Sequence, residues 1–69
     1  MTKLLLRIGR SDEPVEAAWH NPDETVAVVR SFHTPPRFVV FTRPARGMQW
    51  LKDDDFSSFG AAERHAKRL

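Results

Sequence analysis

Cysteine is absent from this 69-residue chain, so neither a disulfide framework nor a cysteine-based zinc site can add to the stability of its core. A domain of this size buries only about 60% of the surface that its unfolded chain exposes. Association of two copies is the remaining common way to gain stability, so a homodimer is an open expectation. The lack of cysteine also fits a reducing compartment, and cytoplasmic is the expected localisation.

Long apolar runs are also missing. The run at residues 4–6 ends at Arg7, which makes it too short for the core of a signal peptide. No later segment approaches the roughly 20 apolar residues of a membrane-spanning helix, so no membrane partner is expected. With 41% hydrophobic residues and 29% charged residues of both signs, the chain is predicted to fold as one small domain over residues 1–69.

Arrangements that support catalysis are scarce. The three glycines form no phosphate-binding loop. His20, His33 and His65 are dispersed, without the helical spacing of metal ligands, and residues 53–55 (Asp-Asp-Asp) lack the alternating spacing of a calcium loop. No serine is accompanied by a recognisable nucleophilic triad. We therefore expect no enzymatic activity, no metal site and no cofactor.

Acidic residues are missing from a long central window, between Thr25 and Lys52, although the chain contains nine of them. The same window holds five of the eleven lysine and arginine residues and most of the aromatic ones. A basic, aromatic-rich stretch in a chain whose net charge is only +2 indicates a surface that binds a negatively charged partner.

The first half of the chain predicts two strands, at 4–8 and 15–20, from their apolar content and alternation. Segment 21–24 (Asn-Pro-Asp-Glu) has the cap residue, the early proline and the glutamate that are typical of a helix start. The β-branched residues that follow favour a strand, so residues 22–32 could form either a helix or a strand. Because the start signal agrees with the helical spacing of the apolar side chains, we predict a helix there.

The second half predicts its clearest strand at 37–43, a turn at 44–47 (Pro-Ala-Arg-Gly), and a partner strand at 48–52. The aspartates at 53–55 are expected to end that strand, and a final helix is predicted from residue 57 or 58 to 69. Each half therefore has the order ββα. Together they predict an α+β fold in which a four-stranded antiparallel sheet carries two helices on one face, with the order βαββα as the alternative.

One face of the 37–52 hairpin is the candidate site. A four-residue turn pairs Phe41 with Trp50, which gathers aromatic, aliphatic and cationic side chains on the same face. The residues expected to contact a partner are Arg37, Phe41, Arg43, Arg46, Met48, Trp50 and Lys52. The opposite face, which includes Val40 and Leu51, is expected to lie under the helices. In the alternative interpretation, Phe41 and Trp50 belong to the core while the charged groups of the same face extend outward into solvent. A hairpin register shifted by one residue would also exchange the two faces of the hairpin.

We interpret this face as a protein-binding surface on a non-enzymatic accessory factor or stoichiometric inhibitor. Arginine outnumbers lysine eight to three, and arginine suits the bidentate recognition of carboxylates on an acidic protein surface. In size the chain is similar to small inhibitors encoded by phages and mobile elements. The first alternative is nucleic-acid binding, with the cations on phosphates and Phe41 or Trp50 stacked on bases. The second is a structural protein that forms a homodimer through this face.

Overall fold

The computed structural model describes residues 4–8 and 14–69, and within them it is an α+β fold of six short strands and one helix. The strands are β1 (Leu5–Leu6), β2 (Val15–Glu16), β3 (Trp19–His20), β4 (Val26–Arg30), β5 (Phe38–Thr42) and β6 (Leu51–Phe56), and the helix is α1 (Phe59–Ala66). β1 and β2 form an antiparallel pair. The other four strands form an antiparallel sheet in the order β3-β4-β5-β6.

The helix predicted over 22–32 is wrong, because this segment makes a turn and then β4. The Asn21 side chain does bind backbone N–H groups, as a cap residue would. Its Oδ1 accepts from the N–H groups of Thr25, at 2.8 Å, and Val26, at 3.0 Å. Glu24 has a φ of 57°, in the left-handed region, so the backbone cannot continue as a right-handed helix. The polar segment is therefore the turn between β3 and β4.

β4 lies inside the sheet and is covered on both faces, which explains its composition. Its first four residues, Val-Ala-Val-Val, are all buried. Ala27 and Val29 face one side, while Val26 and Val28 face the other. A strand that is buried on both faces has an almost continuous apolar sequence rather than an alternating one. The preference of β-branched residues for strands, together with burial on both faces, outweighs the helical spacing of the apolar residues in this segment.

The register predicted for the second hairpin is also wrong. β6 begins at Leu51, so Phe41 pairs with Lys52 instead of Trp50, and residues 43–50 form a longer loop. Gly47 supplies a φ of 87° in this loop. The aspartates at 53–55 do not end the strand but lie within it. A bulge between Val40 and Phe41 accommodates the extra residue on β6, where the side chains remain largely exposed.

The final helix is confirmed, although it ends at Ala66 rather than at residue 69. Ser58 caps it, because its Oγ accepts from the N–H of Ala61 at 3.2 Å. Ala62 and Ala66 are buried against the sheet, and the ring of Phe59 meets that of Phe38 edge to face at 5.8 Å. The predicted pair of helices on one face is therefore wrong, since one helix is present in the described residues.

Two apolar clusters lie on the two faces of the sheet. The cluster under α1 consists of Val26, Val28, Val40, Ala62 and Ala66. The cluster on the other face consists of Leu6, Ala27, Val29, Phe41 and Trp50. The β1–β2 pair covers this second face, and a hydrogen bond of 2.7 Å from the Ala18 N–H to the Val28 carbonyl joins the chain after β2 to the sheet. Both faces of the sheet are thus covered.

Candidate functional site

The two aromatic residues at the centre of the predicted site lie in the core. Phe41 is 8% exposed and Trp50 is 7% exposed. The alternative interpretation, in which these rings belong to the core and the charged groups extend outward, describes the structure correctly. Val40 lies under the helix as expected, whereas Leu51, assigned to the same face, is exposed. The predicted site is therefore not an open aromatic surface.

Arg43 covers the outer side of Trp50. Its guanidinium carbon lies 4.1 Å from the centroid of the indole ring, a cation–π arrangement. Its Nε donates to the Glu24 carbonyl at 2.6 Å, and its Nη1 donates more weakly to the Met48 carbonyl at 3.4 Å. These contacts hold the guanidinium in one orientation. A guanidinium has five N–H donors, so Arg43 keeps donors that no group in the described residues engages.

Three other cations of the predicted site form ion pairs with carboxylates. The Nζ of Lys52 lies 2.9 Å from Asp55, and the Arg37 guanidinium binds the same carboxylate. The pKa of Asp55 is lowered to about 2, because Arg37 and then Lys52 donate hydrogen bonds to its ionised form. The Nη2 of Arg46 lies 2.8 Å from the Glu24 carboxylate. Asp55 and Glu24, which lie outside the acid-free window in the sequence, therefore neutralise part of the positive charge of that window in the folded protein.

A groove lies at the loop between β5 and β6, and we call it the tip groove. Its volume is about 440 Å³. It is lined by Leu5, Arg7, Arg43, Gly47, Met48, Gln49 and Trp50. Leu5 is 55% exposed and Met48 is 54% exposed, so the groove presents apolar side chains to solvent. It contains two guanidinium groups, and no carboxylate is among its lining residues.

The structure thus divides the predicted site into two parts. Arg43, Met48 and Trp50 come together in the tip groove, whereas Arg37 and Lys52 lie with Asp55, outside the groove lining. Leu5 and Arg7 were missed because they belong to the first predicted strand. One signal was available for Leu5: side chains alternate along a strand, so a buried Leu6 turns its neighbour outward.

Two of the three histidines, His20 and His65, contact neighbouring groups. His65 lies 2.5 Å from the Asp53 carboxylate and packs beside the ring of Phe56, and His20 contacts the Asn21 carbonyl at 2.8 Å. Within residues 4–8 and 14–69, no group of three histidine or acidic side chains is placed to hold a metal ion. In the same part of the chain, no helix has the length and hydrophobicity that crossing a bilayer requires.

Comparisons with protein-family models, curated proteins and solved structures find no match for this chain.

Proposed function

We propose that this chain is a small non-enzymatic protein-binding module, an accessory factor or stoichiometric inhibitor, that docks its tip groove on an acidic surface of a partner protein. One observation carries the proposal: the groove combines two guanidinium groups with two exposed apolar side chains, and its lining holds no carboxylate. Charge of one sign beside exposed apolar surface is the composition that suits an acidic protein partner. The absence of cysteine supports a cytoplasmic location for such a module.

Arg43 is the anchor of the proposed surface. Its stacking on Trp50 and its bonds to two backbone carbonyls restrict the side chain before a partner arrives. Less conformational entropy is then lost on binding, and the donors that remain suit a bidentate carboxylate contact. Arginine is also enriched among the interface residues that dominate binding energy.

Leu5 and Met48 supply the apolar part of the surface. Each leaves about half of its surface in water, and a partner that covers both gains the hydrophobic contribution of that area. The unbranched methionine side chain also adapts to an irregular partner surface. Arg37, Arg46 and Lys52 are already paired with carboxylates, which largely cancel their charge, so they contribute less to the proposed contact than Arg7 and Arg43.

The burial of Phe41 and Trp50 weighs against the nucleic-acid alternative in the form in which it arises from the sequence. That alternative needs one of the two rings to stack on bases, and neither ring is open to solvent. The same burial weighs against a homodimer formed through the hairpin face, because the β1–β2 pair occupies that face.

The test is an affinity pull-down from the source cell, with and without nuclease treatment, using Arg7→Glu and Met48→Asp variants. Arg68→Glu and Leu69→Asp are matched controls, since they make the same changes at exposed residues near the end of the chain. The proposal predicts that each groove variant lowers the recovered partner by about tenfold or more, as the loss of a 1.4 kcal/mol contact would. The controls should behave like the parent protein.

Two results would contradict this function. Recovery that disappears after nuclease treatment would indicate a nucleic-acid partner. Equal losses in Arg7→Glu and Arg68→Glu would indicate attraction by net charge rather than docking in the groove. Circular dichroism of each variant, which is expected to match the parent because all four residues are exposed, shows that the fold is intact.

A further inference from the structure

Phe32 is the most exposed large hydrophobic residue in the described part of the chain, at 94%. It lies in the loop between β4 and β5, whose base is closed by two hydrogen bonds. The Ser31 N–H donates to the Arg37 carbonyl at 2.7 Å, and the Arg37 N–H donates to the Ser31 hydroxyl at 2.9 Å. The two strand ends are therefore held together, and the phenylalanine extends from a closed loop rather than from a frayed end.

A second groove, which we call the loop groove, lies between this loop and β2, with a volume of about 550 Å³. Val15, Phe32 and Pro36 are its apolar lining, and Glu16 and Arg30 are its charged lining. It lies at the start of β5, whereas the tip groove lies beyond the end of β5, so the two grooves are at opposite ends of the strand. The loop groove is therefore a surface separate from the one in the proposed function.

We propose that the loop groove is a two-fold interface between two copies of this chain, in which Phe32 of each copy packs into the groove of the other. The surface has the two features that a self-complementary patch needs, an exposed ring at Phe32 and a concavity lined by Val15 and Pro36. Two-fold symmetry brings the same patch of the two copies together, so every contact between a residue of one copy and a residue of the other occurs twice. One protrusion and one cavity on each copy are thereby both filled.

The charges of the groove point to the same occupant. Glu16 and Arg30 have opposite signs and lie on β2 and β4, on the same groove. Across a two-fold axis, Arg30 of each copy meets Glu16 of the other, and this pairing occurs twice. A carboxylate accepts several hydrogen bonds, so Glu16 can join this pair in addition to its contacts within the chain. A partner of one charge sign would match only one of the two residues.

Burial of two phenylalanine rings gives the expected scale of the effect. Phe32→Ala is expected to raise the dimer dissociation constant on the order of 100-fold, from the apolar area lost on both copies. Leu69→Ala removes an exposed apolar side chain away from the groove and is the matched control. Sedimentation equilibrium from about 1 µM to about 1 mM protein measures the constant for each. Because Phe32 is almost fully exposed, its variant should keep the parent circular dichroism.

Charge reversal gives a test that only a two-fold interface passes. Arg30→Glu alone places two carboxylates opposite each other at both pairs, and Glu16→Arg alone places two guanidinium groups there, so each variant should be monomeric. An equimolar mixture of the two variants restores unlike charges at both pairs and should form a dimer again. Arg68→Glu, an exposed charge reversal outside the groove, should leave dimerisation unchanged.

Three results would overturn the proposal: a parent protein that stays monomeric over the whole concentration range, a Phe32→Ala variant that dimerises as the parent does, or a mixture of charge variants that stays monomeric while both are folded. If Glu16→Arg does not fold, the comparison of Phe32→Ala with Leu69→Ala still decides the outcome.

Discussion

Replacement of Trp50 by alanine is expected to remove most of the stability of this protein. Trp50 is 7% exposed within the cluster that includes Leu6 and Phe41, and its outer face carries the Arg43 guanidinium. Truncation of a buried tryptophan costs about 3–5 kcal/mol. Loss of the cation–π contact adds about 0.5–1 kcal/mol at a partly exposed site. At roughly 0.05–0.15 kcal/mol per residue, a chain of this length has about 3–10 kcal/mol in total.

Urea denaturation followed by circular dichroism measures this loss. We expect the Trp50→Ala variant to be largely unfolded in buffer, or to have a transition midpoint far below that of the parent. Met48→Ala is the control from the same loop, and because Met48 is half exposed its change should stay within about 0.5 kcal/mol. A Trp50→Ala variant that loses less than about 1 kcal/mol would refute the assignment of this ring to the core.

Two further predictions concern the turn before β4 and the acid sensitivity of the fold. Asn21→Ala should lower the free energy of unfolding by about 1–3 kcal/mol, since it leaves the N–H groups of Thr25 and Val26 without their acceptor. Asn21→Asp keeps an acceptor and should retain most of the stability. Equal melting temperatures for the two variants would contradict this role of the Asn21 side chain. The pKa of Asp55 is lowered to about 2 from 3.8, so the stability from its ionised form is complete above pH 3.8 and is lost as the pH falls toward 2. Asp55→Asn should therefore flatten the fall in melting temperature over that range, and parallel curves for Asp55→Asn and the parent would count against the ion pairs.

The parts of the fold that the sequence predicts correctly are those decided by local signals. The strand at 37–43 appears as β5, and the final helix begins after Ser58, whose capping bond is made within one turn of the chain. Segment 21–24 is wrongly predicted to start a helix, because the same asparagine can cap a helix or close a turn. The deciding interaction is not local: α1 and the β1–β2 pair bury the following valines from both faces.

The register of β6 depends on long-range pairing in the same way. The eight-residue loop before Leu51 contains good turn residues at 44–47, but nothing in its sequence requires strand pairing with β5 to begin directly after that turn. The correct register also brings Asp55 beside Arg37, eighteen positions earlier in the chain. Residues 25–52 contain no acidic residue, yet strand pairing brings the carboxylate of Asp55, from outside this window, against one of its arginines.

β6 also determines where the sheet stops. It is one of the two edge strands of the four-stranded sheet, and its outer edge pairs with no strand in the described part of the chain. Free backbone groups on such an edge would accept a strand from another molecule and allow assembly without an end point. Here the edge strand carries Lys52 and the aspartates at 53–55, and charged side chains on an edge strand disfavour pairing with a strand of another molecule. We therefore expect these charged side chains to hinder the fibril-like growth of sheets from one molecule to the next.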